Sequence, residues 1–468
     1  VDLAAVSIIN LTNIAKPIMQ SIESWVETLV AIVWGEFMLI PLLALVGVYL
    51  TLGLRAMPWR YLLYAFRLLM QPTDPKHPGE ISSFQALMTA LSATIGTGNI
   101  AGVATAIYFG GPGAVFWMWV IALFGMATKY SEALLAVRFR RVDSNGQTVG
   151  GPMYYIRYGL GENWKWLAGS FAVFGMIAAF GIGNMVQSNS VADVLRSQYN
   201  IPPIATGLTM ALIAGIVIVG GVRRIANVVE RLVPVMALFY VGAALTILVL
   251  NAGRVPIAIA TIIDNAFSGT AASGGFIGAT VWLAIRWGFA RGIFSNESGL
   301  GSAAIAHAAA KTNDPVRQGM VAMLGTFIDT IIMCTLTGLV IIVTDAWLSG
   351  AQGASMSALA FATALGDSGS HIVAIALAIF AFTTIIGWSY YGERCVAYLF
   401  GVGCISLYRT IWIGAIVVGA MFELDLVWAF ADLFNGLMAL PNLIALLLLS
   451  PIVFRETRNY IGARRRAA

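Results

Sequence analysis

An all-α polytopic membrane protein is the fold class this sequence predicts, and three observations predict it. Of 468 residues, 59% are hydrophobic and 10% charged, whereas a soluble domain averages roughly 45–50% apolar and about 25% charged. Mean hydropathy is +0.84, and eleven apolar runs reach or approach the ~20 residues that a helix needs to cross a bilayer. Basic and acidic residues alternate between the loops that join those runs. So little charge does not cover a water-facing surface, which excludes a soluble enzyme, a nucleic-acid module and a disordered tail. The 49 glycines fit the same class, because glycine lets membrane helices approach closely and unwind locally.

The segment 1–34 mixes Ile, Leu, Val and Trp with Glu23 and Glu27 and is read as an amphipathic helix on the outer surface. With no basic stretch ahead of a short apolar core, no cleavable signal peptide is expected. The apolar runs follow at 35–54, 82–109, 113–138, 166–190, 204–220, 232–250, 275–294, 317–343, 371–400, 407–422 and 433–454. Arg55, Arg60 and Arg67 follow the first run, Arg138, Arg140 and Arg141 the third, Arg223 and Arg224 the fifth, and Lys311 precedes the eighth. Asp193, Asp264, Asp345 and Asp367 occupy the intervening loops. This positive-inside pattern puts the N-terminus outside and the basic tail, 455–468, in the cytoplasm of a plasma-membrane protein. The net charge of +5 is explained by topology; binding of lipid head groups by the tail is the costlier reading. Cys334, Cys395 and Cys404 have no CxxC spacing, and the three histidines are scattered, so neither disulfides nor a metal-ligand set is indicated.

Beyond the first run and its loop (35–81), ten runs divide into two sets of five, 82–250 and 251–454. An odd number of crossings per half forces opposite membrane orientations. Each half opens on an interrupted segment, Ser92 to Gly102 in the first and Leu283 to Gly292, continuing to Ser295–Gly299, in the second. Glycine-bearing breaks at matching positions of inverted halves point to a transporter's binding site.

Gly96-Thr97-Gly98-Asn99-Ile100-Ala101 matches a dinucleotide fingerprint in letters only, because that motif needs a strand–turn–helix around it. In mid-membrane the two glycines let the helix unwind, freeing carbonyls on one side and N–H groups on the other. A cation and a carboxylate find partners there side by side. The plain alternative is a glycine-lined helix crossing, against which Thr94, Thr97 and Asn99 supply polar groups that packing does not need. Thr384 and Trp388 share a face of the ninth run, and hydroxyl oxygens suit a hard cation; serine and threonine also bond back to their own helix. Asn184 and Gln187 give the fourth run a polar feature, while Phe180 reads first as core packing. Lys129 and Glu132, three apart, read as an intrahelical ion pair. Asp329, deep in the eighth run, fits a proton or cation site and a buried structural partner equally well. Arg286, Arg291 and Glu297 cluster around the seventh-run break.

Gly110-Gly111-Pro112-Gly113-Ala114-Val115-Phe116-Trp117-Met118-Trp119 resembles the signature of the alanine or glycine:cation symporter family. GTGNIAGVATAI at 96–107, GGPMYYI at 150–156, RGIFSNESGLGSA at 291–303 and FIDT at 327–330 are similar to that family too. The resemblance runs from about residue 40 to 455. It implies eleven helices with a LeuT-type five-plus-five inverted repeat and one extra N-terminal helix. It also implies symport of alanine, glycine or another small amino acid, D-enantiomers included, with Na⁺ or H⁺. Carried onto this chain, Gly96, Thr97, Gly98, Asn99 and Gln187 would hold the substrate's polar groups. Ala93 and Gly96 would give carbonyls to a sodium ion that Ala381, Thr383 or Thr384 closes. Phe180, Ile285 and Trp388 would wall a small apolar pocket.

A Na⁺-coupled symporter for a small neutral amino acid leads this reading, with sodium, substrate and the lipid bilayer as its only partners. An H⁺-coupled symporter and a cation channel or uniporter are the alternatives. No HExxH, GxSxG or nucleotide loop occurs in a suitable context, so neither an enzyme nor an organic cofactor is expected.

Overall fold

The computed structural model describes residues 24–35, 37–72, 74, 76–271, 273–421 and 424–467. Almost all of them are helical. Residues 1–23, including Glu23, lie outside the described residues; helix α1 (Ser24–Val33) carries the rest of the expected amphipathic segment. It buries Val26 and Val33 and exposes Trp25, Leu29 and Ile32. The Trp34 indole pins its end by donating to Asp432 O at 2.9 Å.

Every predicted run coincides with a helix or a broken pair. The first is α2 (Leu39–Gly53), and the second is α3 (Ser83–Thr94) with α4 (Gly98–Gly110). The third and fourth are α5 (Gly113–Arg138) and α6 (Glu162–Tyr199), and the fifth and sixth α7 (Pro203–Ile218) and α8 (Gly221–Leu250). After α9 (Val255–Ser268) the seventh is α10 (Val281–Asn296), continued past a break by α11 (Ser302–Ala308). The eighth is α12 (Pro315–Val343); then come α13 (Gly353–Leu365), the ninth, α14 (Asp367–Phe400), and the tenth and eleventh, α15 (Val402–Met421) and α16 (Leu424–Ala467). Seven of these helices are long and apolar enough to cross a membrane, and the bent pair α3–α4 makes an eighth. Helices α2, α7 and α10 have 15, 16 and 16 residues, short of a full perpendicular crossing.

Three differences have physical causes. Helix α8 starts at Gly221 rather than 232 and carries Arg223, Arg224 and Arg231 on its early turns, since arginine is a good helix former once outside the apolar layer. The basic tail is no separate segment: α16 runs unbroken through Arg464–Arg466. The linkers at 251–274 and 344–370 hold α9 and α13, too short to span.

Local chemistry sets the ends of these helices. Ser82 and Gln85 form a reciprocal capping box at the start of α3, satisfying two donors that no helix carbonyl reaches. Gly111, at φ 70°, and Pro112 turn α4 into α5. Helix α5 forms the centre, with nearly every position from Gly125 to Val137 enclosed. Helices α7 and α15 are outermost, turning Leu208, Leu212, Ile216, Leu407 and Ile411 outward. In lipid the packing between spans comes from close fit rather than from burial, and glycine supplies it: a Cβ at Gly387 of α14 would lie 2.6 Å from Ser92 Oγ of α3.

Candidate functional site

The site begins where the second span fails to continue. Helix α3 ends at Thr94, the chain bends by 53°, and α4 resumes at Gly98. The first N–H groups of α4 have no carbonyl of their own helix to bond, so side chains serve the break. Asn99 Oδ1 accepts the Gly96 N–H at 3.0 Å. Gln187 Oε1, from α6, accepts the Thr97 N–H at 3.3 Å, while Gln187 Nε2 donates to Thr97 Oγ1 at 3.1 Å. Thr97, Asn99 and Gln187 are all buried.

The other end of the Asn99 amide reaches the eighth span, donating to Asp329 Oδ1 at 2.8 Å. Ser295 Oγ and Thr330 Oγ1 donate to Asp329 Oδ2 at 2.9 and 2.8 Å, and Asn296 Nδ2 donates to Thr330 Oγ1 at 3.0 Å. Asp329 thus sits between both breaks, with a donor at each of its oxygens. The backbones are close as well: a Cβ at Gly98 would lie 3.2 Å from Ser295 Cα.

The seventh span breaks at the C-terminal end of the segment read as interrupted. Helix α10 is continuous to Asn296, and the reversal runs through Glu297, Gly299 and Gly301 at φ 56°, 95° and 79°. Glu132 of α5 serves this break: its Oε1 accepts the N–H groups of Gly299 and Gly301 at 3.0 and 3.1 Å and Asn442 Nδ2 at 2.7 Å. Tyr155 in turn donates to Asn442 Oδ1. Glu132 therefore caps interrupted backbone, and among the described residues no hydrogen bond or close ion pair joins it to Lys129. The Lys129 Nζ is buried with no hydrogen-bond partner, and its electrostatic partners are Glu297, Glu132 and Asp329.

A second oxygen cluster lies where α14 crosses α3. Thr384 Oγ1 is 3.1 Å from Ser92 O and 3.4 Å from Ile95 O. Only glycine fits opposite, because a Cβ at Gly96 would lie 2.5 Å from this hydroxyl. Thr383 does not join the cluster; its hydroxyl donates to Phe380 O at 2.9 Å and faces Met236 Sδ. The carbonyls that face Thr384 are those of Ser92 and Ile95, whereas Gly96 O accepts the Asn99 N–H at 3.3 Å. Ala93 packs under Gly387, and Ala381 is buried one turn before Thr384.

The residues expected to wall an apolar pocket are not brought together. Phe180 packs its ring on Tyr408 and Trp412, at 5.5 and 5.2 Å. Ile285 stands near the far end of α10, about 16 Å along the axis from the break at ~1.5 Å per residue. Trp388 is buried in the core, with its Nε1 donating to Glu297 Oε1 at 2.8 Å and its Cβ so close to Gly183 that an added Cβ would lie at 2.2 Å. Asn184 donates to Trp412 O at 2.9 Å, away from the breaks. Arg291 pairs with Asp432 at 3.0 Å and stacks with Trp287, Phe294 and Trp428. Of the three charges expected around the break, Glu297 alone is at it.

Π-helical turns were not foreseen. They widen the helix at Gly98–Gly102, Gly181–Met185 and Phe327–Cys334 and so present Asn99 and Asp329; such turns recur at functional sites. Clustered small and polar residues around Gly98 and Gly181 are the only sequence trace of the first two. A cavity of about 350 Å³, lined by Thr105, Trp287, Arg291 and Trp428, opens toward the face that carries Asp193. At the opposite end a strap ties residues 80–81 to 309–311. The N–H groups of Glu80 and Lys311 donate to Ala309 O and Ile81 O, both at 2.7 Å, and Arg140 donates to Ala310 O at 2.8 Å.

Comparison with known proteins follows this geometry. The model of the sodium:alanine symporter family matches residues 19–468. The sodium/alanine symporter AgcS of Methanococcus maripaludis is 50% identical over 452 residues, covering 95% of this chain and 98% of its own. A probable sodium/glutamine symporter, GlnT of Bacillus subtilis, is 38% identical over 432 residues, covering 92% and 88%. Among solved structures, that of MhsT in complex with L-phenylalanine superposes with a TM-score of 0.53 at 13% identity, over 81% of this chain and 98% of that one. The likeness establishes the LeuT-type fold.

Proposed function

Since the chain belongs to the sodium:alanine symporter family, we propose that it imports a small neutral amino acid, alanine or glycine foremost, together with Na⁺. The observation that carries this reading is the Thr384 hydroxyl set against the Ser92 and Ile95 carbonyls. Three neutral oxygens converge where Gly96 leaves room, a donor set suited to a hard, weakly held cation. The adjoining N–H groups at the start of α4, with Thr97, Gly98, Asn99 and Gln187, would take the substrate's carboxylate and ammonium. The two sites share Gly96, which leaves room for the Thr384 hydroxyl and gives its N–H to Asn99 Oδ1, so occupancy of one would alter the other's surroundings. Linkage makes any such effect reciprocal, and symport requires it to be favourable, each ligand strengthening the other's binding. Alanine binding to purified protein, titrated in Na⁺ and again in K⁺, tests this. Tighter binding in Na⁺ is expected; equal affinity in both salts would refute the coupling.

Transport then proceeds by alternating access. The cavity above the breaks and the hydrogen-bonded strap of residues 80–81 and 308–311 below fit a conformation facing the side of Asp193. The charge alternation makes that side the exterior, with the N-terminus outside, the C-terminus in the cytoplasm, and residues 82–250 and 251–454 as inverted halves. Single-cysteine labelling at the end of α16 checks the orientation, and modification by an impermeant reagent in intact cells would reverse it. H⁺ coupling through Asp329 is the second reading, favoured by that carboxylate's place between the two breaks. It predicts alanine binding that responds to pH and ignores Na⁺.

A further inference from the structure

The end of the first span gathers positive charge in a way that topology alone does not require. A cavity of about 200 Å³ between α2 and the far end of α16 is lined by Arg55, Arg60, Arg458 and Arg465, with Leu54 and Phe454 as its apolar side. Among the described residues none of the four guanidiniums pairs with a carboxylate, although nearby Arg138 lies 3.5 Å from Glu456. Their own contacts are long: Arg60 reaches Arg55 O at 3.4 Å and Arg458 reaches Phe454 O at 3.3 Å. Like charges gathered this closely repel one another, and guanidiniums match phosphate oxygens in paired geometry.

The backbone is also specialised there. Arg55 and Ala56 adopt left-handed φ angles of 56° and 54°, an unfavourable conformation for two non-glycine residues in succession. Gly53 lets α2 meet α16, since a Cβ at that position would lie 2.1 Å from Phe454 Cζ. Leu52, next to Gly53 of the cavity wall, is 71% exposed. Unpaired arginines beside the apolar side of Leu54 and Phe454, with exposed Leu52 adjoining, match a ligand with an anionic head and hydrocarbon tails.

We infer that this cavity binds the phosphate head group of an anionic membrane lipid, which bridges the first and last spans. The positive-inside bias places arginines on this face, yet it accounts for neither their convergence nor their lack of acidic partners. Delipidated full-length protein, titrated by native mass spectrometry with phosphatidylglycerol, phosphatidylcholine and inorganic phosphate, tests the inference. The wild type is compared with Arg55→Gln/Arg458→Gln and with Arg224→Gln/Arg231→Gln, which removes equal charge from α8. Phosphatidylglycerol should bind in preference to both other probes and weaken at least about tenfold in the cavity variant alone, as expected for two interfacial arginines. Equal weakening in both variants would reduce the effect to general surface charge. Equal binding of phosphatidylcholine would remove the anionic selectivity, and inorganic phosphate bound as tightly would remove the lipid. Each of these outcomes overturns the inference.

Discussion

The Trp388 indole donates to Glu297 Oε1 at 2.8 Å, which joins the ninth span to the point where the seventh breaks. Ser302 Oγ holds the other Glu297 oxygen at 2.5 Å, and Trp388 rests on Gly183 of the fourth span. One side chain therefore links three spans, so a shift of the seventh-span break would pull on the helix that carries Thr384. This geometry suits a tie between spans, with the indole held in the core by Glu297 and Gly183.

Removing the indole N–H tests the tie. Trp388→Phe keeps an aromatic ring but leaves a buried Glu297 oxygen without a donor, which costs about 1–3 kcal/mol. A lower melting temperature and slower alanine uptake are expected together. Gly183→Ala should be worse, because its Cβ would overlap the Trp388 side chain. Wild-type melting and uptake in Trp388→Phe would show the contact to be idle.

The two adjacent threonines of α14 should behave differently. Thr384→Val removes a hydroxyl that faces two carbonyls of the second span, whereas Thr383→Val removes one bonded within its own helix. Loss of one ligand oxygen worth about 1.4 kcal/mol raises the half-saturating Na⁺ concentration about tenfold. Uptake measured across a Na⁺ series should give that shift for Thr384→Val and little change for Thr383→Val. Equal shifts in both would remove the cluster from the ion path.

Substrate size should not depend on Phe180 or Ile285. One packs on Tyr408 and Trp412 and the other lies remote from the break. Competition of alanine uptake by glycine, serine and leucine should rank the same in Phe180→Ala, in Ile285→Ala and in the wild type. A variant that admitted leucine would return that residue to the pocket wall.

Glu132 should matter as a hydrogen-bond acceptor first. Glu132→Gln retains an oxygen for the Gly299 and Gly301 N–H groups, while Glu132→Ala leaves two buried donors unserved at about 1–3 kcal/mol each. Thermal melting in detergent should fall much further for alanine than for glutamine. Equal losses would mean that charge, not capping, is its contribution.

Much of this fold was legible because a membrane imposes a length and a composition on every crossing. All eleven runs appear as helices or broken pairs, and the break at Gly96–Gly98 falls where the glycines place it. The seventh-span break was less legible. Of the segment read as interrupted, Leu283 to Gly292 lies inside an intact helix and only its continuation, Ser295–Gly299, meets the break, where Glu297 adopts a left-handed φ without being glycine. Spacing along one helix suggested Lys129 with Glu132, but the partners that satisfy Glu132 come from α16 and the seventh-span break, more than 160 positions later. Thr383 and Thr384 look alike in sequence; only the crossing of α14 over α3 distinguishes them. The pocket roles of Phe180 and Ile285 rest on resemblance alone; Phe180 packs on Tyr408 and Trp412, in keeping with its first reading as core packing.

Radiolabelled alanine uptake into proteoliposomes, with Na⁺ and pH gradients imposed separately, tests the central claim most directly. An inward Na⁺ gradient at symmetric pH should drive accumulation above equilibrium, and a pH gradient without Na⁺ should not. Accumulation driven by the pH gradient alone, or Na⁺ entry that neither needs nor carries alanine, would contradict Na⁺-coupled symport.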